Sequence, residues 1–578
     1  MARSRAVSSE KKPWRAICEA FEAEEVEYVF GIPGNPIALY NDLYDFPDIK
    51  AVLVRMETSA VFMAMAYARV TGKVGVLHAS PGPGMANLVP GLLEAFYGCS
   101  PIIAICSARS RQHAGMGGFQ DTPSLELADP VTKWAERIEL PARTTWTMER
   151  AFELAQTGKP GPVYVEVPVD IAATSAEIPT YRRPLVELRS AGDPVLVERA
   201  ASLLGSASRP VIFAGGGVVL SCAEQELLTL AEGLDAPVVT TPSGRGSISE
   251  EHRLSFGLVG LYRTESSARP LDEADAVLFV GTRLEEFQTG LGRYLPAKAK
   301  LIRVDVDAFE IARNIHPDVA IVGDAKLVLR QLAAAVSPVS GRPWTTDLVA
   351  FKHEFEERVE LECAPDGEDI KTKQIVHALN HVFDEGFILV NENGGQDLWS
   401  YYCPYLKVTE HRGCVAPAEQ TVMGLGVAGA IGAKLGRPDT HVVCVTGDGA
   451  FQMYMKEIPT AVQYRAPVLW IVCNNASLHW TKWIGRATGE KYLAVDFEAQ
   501  PDFVAIARAS GAYAESLGTA SDLLEALGRA KRELEDGHPV VLDCSIDTWD
   551  YPKGFVDFHR DMWGLALPEG AGATSVGG

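Results

Sequence analysis

The stretch "VVCVTGDGAFQMYMKE" runs an apolar segment into Gly447-Asp448-Gly449 and then into a helical pattern. Beyond it, "QMYMKEIPTAVQY" and a second apolar run, "PVLWIVCNN", lead to Asn474 and Asn475. A strand-helix-strand unit brings the C-terminal ends of two parallel strands together. Asp448 and Asn475 therefore fall at one sheet edge, the edge where α/β folds bind ligands. A carboxylate oxygen, an amide oxygen, a backbone carbonyl and phosphate oxygens make a shell for Mg²⁺, a hard cation that commonly shares its sites with substrate phosphates. Gly449 lets the backbone approach a phosphate, and the following helix offers its N-terminal amides. Each half alone reads as a helix-entry turn or an Asn-rich loop. Together, in this strand context, they are specific.

The elements that position these groups recur in three blocks. Residues 11–180 alternate Val/Ile-rich runs such as "SPIIAICSARS" with helical stretches, the pattern of parallel strands crossed by helices. A polar, Pro-containing connection leads to a second α/β unit, residues 195–336, with strands "PVIFAGG", "APVVTT", "ADAVLFVG" and "AKLIRVDVD". The third block, residues 369–547, repeats the pattern with "GFILVNENGG", "THVVCVTGDG", "APVLWIVCNN" and "PVVLDCSID". The fold class predicted is α/β, with three doubly wound parallel-sheet domains. A tail, residues 548–578, carries Trp549 and Trp563 and then fades into "PEGAGATSVGG", which reads as disordered after a possible lid or subunit-packing arm.

Composition narrows the partners. Lys and Arg number 53 against 75 Asp and Glu, a formal charge of −22. That balance disfavours nucleic-acid and anionic-membrane binding, so a phosphate-bearing ligand needs local basic groups or a metal. No apolar h-region or membrane-length run occurs, and the ten cysteines show no CxxC spacing. The expected location is cytoplasmic.

With the GDG…NN pair in place, the sequence resembles the thiamine diphosphate enzymes of the acetolactate synthase and pyruvate decarboxylase superfamily, over nearly the whole chain. The resemblance implies pyrimidine-binding, central and diphosphate-binding domains in that order. It implies that Gly447, Asp448, Gly449 and Ala450 form the turn on the diphosphate, and that Asp448, Asn475 and the carbonyl of Ser477 hold Mg²⁺. Such enzymes need a carboxyl group beside the pyrimidine ring, and "AVLVRMETSAVFMAMAYARVTG" places Glu57 there. Taken alone, a glutamate at that point also reads as a helix N-terminal charge. Beside the diphosphate motif it is the group that favours the imino tautomer needed to deprotonate the thiazolium. The segment "EQTVMGLGVAGAIGAKLG" puts Met423 where the family supports the bent cofactor, although core packing is the commoner fate of a methionine. "NENGGQDLW" resembles the diphosphate-side loop, with Gln396 as a phosphate contact; it departs from many relatives in carrying Asp397 where they have histidine. In the family the two halves of the site meet across a subunit interface, which implies a homodimer or a dimer of dimers.

For the substrate, "SARSRQHAGMGGFQD" resembles the family's active-site loop, implying that Phe119 and Gln120 line the cleft with Gln112 or His113 near the reacting carbonyl. His113 reads equally as a solvated loop histidine. In "VGTRLEEFQTGLG", Phe287 replaces the arginine that in acetolactate synthases grips the second keto acid's carboxylate. "GTRL" resembles instead 2-hydroxyacyl-CoA lyases and oxalyl-CoA decarboxylases. The favoured expectation is C–C cleavage, or the reverse ligation, of the 2-hydroxyacyl-CoA lyase type; the alternative is an acetolactate synthase-like carboligase or 2-oxo acid decarboxylase. After the asparagines, "ASLHWTKWIGRATGEKY" brings Trp480 and Trp483 as an apolar wall or as packing, and Glu490 as a proton relay or a solvent-facing side chain. The central "FAGGGVV" turn, with Arg245, Arg263 and Arg269 elsewhere in that block, leaves open ADP, coenzyme A, FAD or no nucleotide at all.

Overall fold

The computed structural model describes residues 8–34, 37–184, 188–339, 341–365, 369–395 and 397–567. Gln396, part of the connection before residue 195, and the closing stretch from 568 lie outside them. Among the described residues stand three six-stranded sheets, every one of whose strand pairs is parallel, and a small antiparallel pair, Ser8–Lys11 with Ala176–Pro179. Three sheets wound with helices give the α/β architecture that the alternating pattern predicts. No described helix is long and apolar enough to cross a membrane.

The chain divides into two compact units. One comprises Met1–Leu188 with Pro417–Pro438 and Tyr454–Tyr464. Its sheet runs in the order Lys50–Leu53, Tyr28–Gly31, Gly75–Ala79, Ile102–Ala108, Val163–Pro168, Trp134–Arg137. Helix Glu57–Thr71 is buried almost all round, the signature of a core helix with no solvated face. It packs on helix Leu425–Gly436, and the close approach depends on glycine. A Cβ on Gly432 would stand 2.0 Å from the Met63 carbonyl oxygen. Nearby, the fully buried Glu94 accepts hydrogen bonds from the amides of Ala418 and Val422, so its charge is held by backbone dipoles.

The other unit holds the second and third sheets, including Arg189–Ala416, Asp439–Met453 and the chain from Arg465 onward. The second sheet runs Ser255–Leu258, Val238–Thr240, Pro210–Ala214, Ala276–Val280, Lys300–Asp305, Val319–Val322. The third runs Cys414–Val415, Ile388–Asn391, Val442–Gly447, Leu469–Asn474, Val540–Ser545, Tyr513–Leu517. The interior strands are continuous apolar runs, as sheets covered on both faces require. Arg245 is wholly buried in a two-pronged pair with Glu250, at 2.8 and 2.7 Å, and donates also to the carbonyls of Ser400 and Leu406. It ties the loops of this unit together.

Replacing Gly432 with alanine forces a methyl into the Met63 backbone, at an expected cost of at least ~1–3 kcal/mol. Gly528→Ala is the control, since its added methyl meets only the tip of Arg532 at 3.9 Å in the interior of helix Leu523–Glu535. Thermal unfolding of the two variants should shift in opposite directions, downward for the first and slightly upward for the second.

Candidate active site

Strand register brings the two halves of the motif together. Gly447 pairs with Cys473 across the parallel strands Val442–Gly447 and Leu469–Asn474, so Asp448 and Asn475 leave the sheet side by side. Ile388–Asn391 pairs on the other side, and its following loop, through Gly394 and Gly395, reaches the same edge. Asp448 opens helix Asp448–Tyr454. Its carboxylate accepts from its neighbour's amide, Gly449 N, at 3.0 Å and from Gln500 Nε2 at 2.5 Å. Burial pushes its pKa up to about 6, so the anion is short of compensation there.

The two asparagines differ in role. Asn474 donates to Asp543 at 2.9 Å and accepts from the Ala476 amide, which makes it a brace. Asn475 accepts from the amide and hydroxyl of Ser477 at 3.2 and 3.1 Å, while its buried Nδ2 has no partner among the described residues. A Cβ on Gly447 would meet nothing within 4 Å, whereas one on Gly449 would meet Leu478 at 2.9 Å. The edge thus presents a buried carboxylate, an amide with an unmet donor, and open space over Gly447. This donor set fits a divalent cation together with phosphate oxygens.

His479 and Asp397 close this edge from within. A Cβ on Gly395 would lie 2.3 Å from His479 Nδ1 and 2.9 Å from the Trp480 amide, so the loop presses against the start of helix His479–Ala487. Burial lowers the His479 pKa to about 3, and its Nε2 stands 2.6 Å from the Thr548 carbonyl; the neutral ring carries its proton on Nε2. Asp397 is fully buried, and burial, with the Glu392 carboxylate next, pushes its pKa well above the usual carboxylate range. A protonated acid there removes the repulsion that an ionised one would exert on a phosphate.

In the other unit, Glu57 stands at the first position of helix Glu57–Thr71. Asn87 Nδ2 donates to its Oε2 at 2.9 Å, and Oε1 faces Gly84, where a Cβ would sit 3.4 Å away. One carboxylate oxygen is therefore fixed and the other left toward a gap. Gln120, in the left-handed region at φ +58°, packs against the neighbouring Gly82. Phe119 is 66% exposed, and Gln112 and His113 lie on an exposed turn, Arg111–His113. Met423 is half-buried, immediately before Gly424, which carries φ +98° and starts helix Leu425–Gly436. Glu490 is exposed on a left-handed turn, and Ala450 is buried in the helix that Asp448 opens. Asn87 and Gln500 had no motif to mark them; each is found only by its hydrogen bond to a candidate carboxylate.

The tail forms helix Lys553–Trp563 and covers the segment after the asparagines. Trp480 Nε1 donates to His559 Nε2 at 3.0 Å, and His559 Nδ1 bonds the Phe555 carbonyl at 2.8 Å. Phe287 joins them, its ring centroid 6.0 Å from Trp480, 5.8 Å from Phe558 and 6.4 Å from Trp563. Trp483 is fully buried under the same helix. In the central sheet, Gly215 and Gly217 pack against the backbone of Gly281, which accounts for the glycine-rich turn without a ligand. Three arginines of that block are committed: Arg245 to Glu250, Arg263 to Asp561 and the Tyr294 ring, and Arg269 to Glu273 and Asp347.

Three family profiles match in order: the N-terminal TPP binding domain of thiamine pyrophosphate enzymes at residues 14–127, their central domain at 197–332, and their C-terminal TPP binding domain at 396–544. The chain belongs to the thiamine diphosphate-dependent enzymes of the acetolactate synthase and pyruvate decarboxylase superfamily. Within it, the chain is 34% identical to a "probable acetolactate synthase large subunit" of Methanocaldococcus jannaschii, over 92% of this chain and 91% of that protein. It is 33% identical to the like-named protein of Methanococcus aeolicus over 92% and 91%, and 29% identical to acetolactate synthase isozyme 3 large subunit of Escherichia coli over 90% and 92%. The protein is thus an acetolactate synthase-like enzyme, and the acyl-CoA lyase reading favoured by "GTRL" gives way to the carboligase alternative.

The tail makes a pH prediction. Burial lowers the His559 pKa to about 4, against an ordinary value near 6.5, so the docked tail favours the neutral ring. Docking is at full strength above about pH 6.5 and weakens roughly tenfold per pH unit as pH falls toward about 4. Tryptophan emission should shift to the red over that range in the native chain and stay flat in His559→Gln. A flat response in the native chain would reject the docking.

Proposed function

We propose that the protein is a thiamine diphosphate-dependent carboligase that takes a 2-oxo acid as donor and joins its acyl carbon to a second carbonyl compound with an apolar substituent. Bound thiamine diphosphate supplies a carbanion that adds to a carbonyl and stores the electron pair freed when the adjacent C–C bond breaks. Asp448, Asn475 and the Ser477 carbonyl hold Mg²⁺ against the diphosphate. Gln500 orients the Asp448 carboxylate, and the unmet Asn475 donor turns to the phosphate side. Glu57 exchanges a proton with the cofactor's pyrimidine N1′ through Oε1, while Asn87 holds Oε2. Gln120 borders the donor's carbonyl, beside Gly82. Gln396, Met423, Gln112, His113 and Phe119 keep the roles that the resemblance implies for them, and Glu490 serves as a proton relay to a substrate hydroxyl. The sites are completed in a homodimer or a dimer of dimers, and the enzyme works in the cytoplasm.

The observation that carries the acceptor's chemistry is the ring cluster of Phe287, Trp480, Phe558 and Trp563, standing where the resemblance places an arginine. A guanidinium binds a carboxylate in two-pronged fashion, whereas rings favour apolar surface. A panel of 2-oxo acids, alone and paired with aliphatic and aromatic aldehydes, together with 2-hydroxyacyl-CoA thioesters, should yield 2-hydroxyketones from the oxo acid–aldehyde pairs. Products read by mass spectrometry decide it, and turnover of thioesters alone would overturn the reading.

Two substitutions separate binding from chemistry. Asp448→Asn should weaken Mg²⁺-dependent cofactor binding by about a hundredfold or more in calorimetry, a loss at the upper end of what removing a supporting ligand group produces. Glu57→Gln should leave the cofactor bound and cut turnover by about 10²–10⁴-fold, the usual contribution of a positioned acid-base group. Unchanged turnover in Glu57→Gln would remove Glu57 from the chemistry.

A further inference from the structure

A cluster far along the sequence from the cofactor motif has the composition of a metal site. His377 and His381 lie one turn apart on helix Thr372–Val382, their ring centroids 5.0 Å from each other. Glu360, from the last turn of helix Pro343–Glu362, reaches both: Oε2 stands 3.3 Å from His377 Nε2 and Oε1 3.4 Å from His381 Nε2. An ion about 2.0–2.1 Å from each donor spaces tetrahedral ligands roughly 3.3–3.5 Å apart; each histidine stands near that separation from a different Glu360 oxygen, and one ligand atom from each side chain lies within 4.8 Å of the others. Histidines at i and i+4 on one helical face are a recurrent metal-binding pair.

We propose that Glu360, His377 and His381 form a site for a divalent transition metal such as Zn²⁺, distinct in chemistry from the all-oxygen Mg²⁺ site. Two imidazoles and one carboxylate suit zinc, copper or nickel, whereas Mg²⁺ prefers oxygen donors. Among the described residues three protein ligands converge, and His381 and Glu360 are exposed, so water can complete the shell and the ion enters from solvent. His377 is buried, and burial disfavours its protonation, which keeps a nitrogen lone pair available. The nearest opposing charge is Lys407, and it is tied to Glu356 at 3.4 Å; Glu362 on the same helix is tied to Lys373. Metal bound here pins the end of helix Pro343–Glu362 to helix Thr372–Val382, two consecutive helices of one unit. Without metal, Glu360 pairs with each histidine only when that histidine is protonated, and the experiment distinguishes the two states.

The test uses holoenzyme saturated with thiamine diphosphate and Mg²⁺, so that the cofactor site is filled, and titrates it with Zn²⁺ by calorimetry. One Zn²⁺ per chain is expected, with affinity falling about tenfold or more in His381→Ala and in Glu360→Gln. Both changes fall on exposed side chains, and catalytic turnover should stay unchanged. Cu²⁺ in place of Zn²⁺ should show nitrogen superhyperfine coupling from two imidazoles in the native chain and from one in His381→Ala. Absence of stoichiometric Zn²⁺, or binding and spectra that the two substitutions leave unaltered, would overturn the site and leave only the pairing of Glu360 with protonated histidine.

Discussion

A carboxylate buried at a sheet edge is the constraint on which the cofactor half of this protein turns. An ionised group out of water is costly unless charge or hydrogen bonds answer it. Asp448 receives backbone amides, that of Gly449 at 3.0 Å among them, and the Gln500 side chain, and burial still raises its pKa to about 6. The fold therefore keeps at this edge a carboxylate whose ionisation is costly. The parallel register that sets Gly447 beside Cys473 fixes where that carboxylate stands, and the Asn474–Asp543 brace holds the neighbouring strands in place. The Asn475 donor, too, finds no partner among the described residues.

The unit that carries Glu57 solves a different problem. Its helix Glu57–Thr71 has almost no solvated face, so its position is set by packing on all sides. Gly432 lets a second helix approach to the Met63 carbonyl, and Gly91 does the same against Val61, where a Cβ would fall 2.6 Å from the valine Cβ. Dense packing of this kind resists small displacements. Glu57 begins that helix, so its carboxylate inherits the rigidity, and Asn87 fixes which oxygen is turned outward.

Much of this was legible in the sequence, and the pattern of what was not is physical. In the second and third sheets, the four strands read from each apolar run are the four interior ones. The two missed in each, Ser255–Leu258 and Val319–Val322, then Cys414–Val415 and Tyr513–Leu517, are the sheet edges. An edge strand pairs on one side only and need not be continuously apolar, so its signal is weak. Among the candidate residues, Asp448, Asn475 and Glu57 stood out because strand ends and helix starts announce them. Asn87 and Gln500 did not, because a hydrogen bond formed across 30 or 52 positions leaves no periodic trace. The arginines of the central block looked available by composition, and only the folded chain shows Glu250, Asp561, Glu273 and Asp347 already holding them.

The two candidate regions are built from different materials. Asp448 and Asn475 sit at strand ends of one sheet, whereas Phe287, Trp480 and the tail aromatics come from three separated stretches that meet only after folding. Their mutual packing makes position 287 dependent on the others. A guanidinium set among Trp480, Phe558 and Trp563 would be charged and short of acceptors; Glu286 is the nearby carboxylate, and it already accepts from the Trp563 indole at 3.3 Å. Phenylalanine at 287 and the tryptophans around it are thus one physical choice, an apolar wall in place of an anion grip. Because the tail helix supplies part of that wall and His559 carries the Trp480 hydrogen bond, the docked tail and position 287 belong to one packing unit.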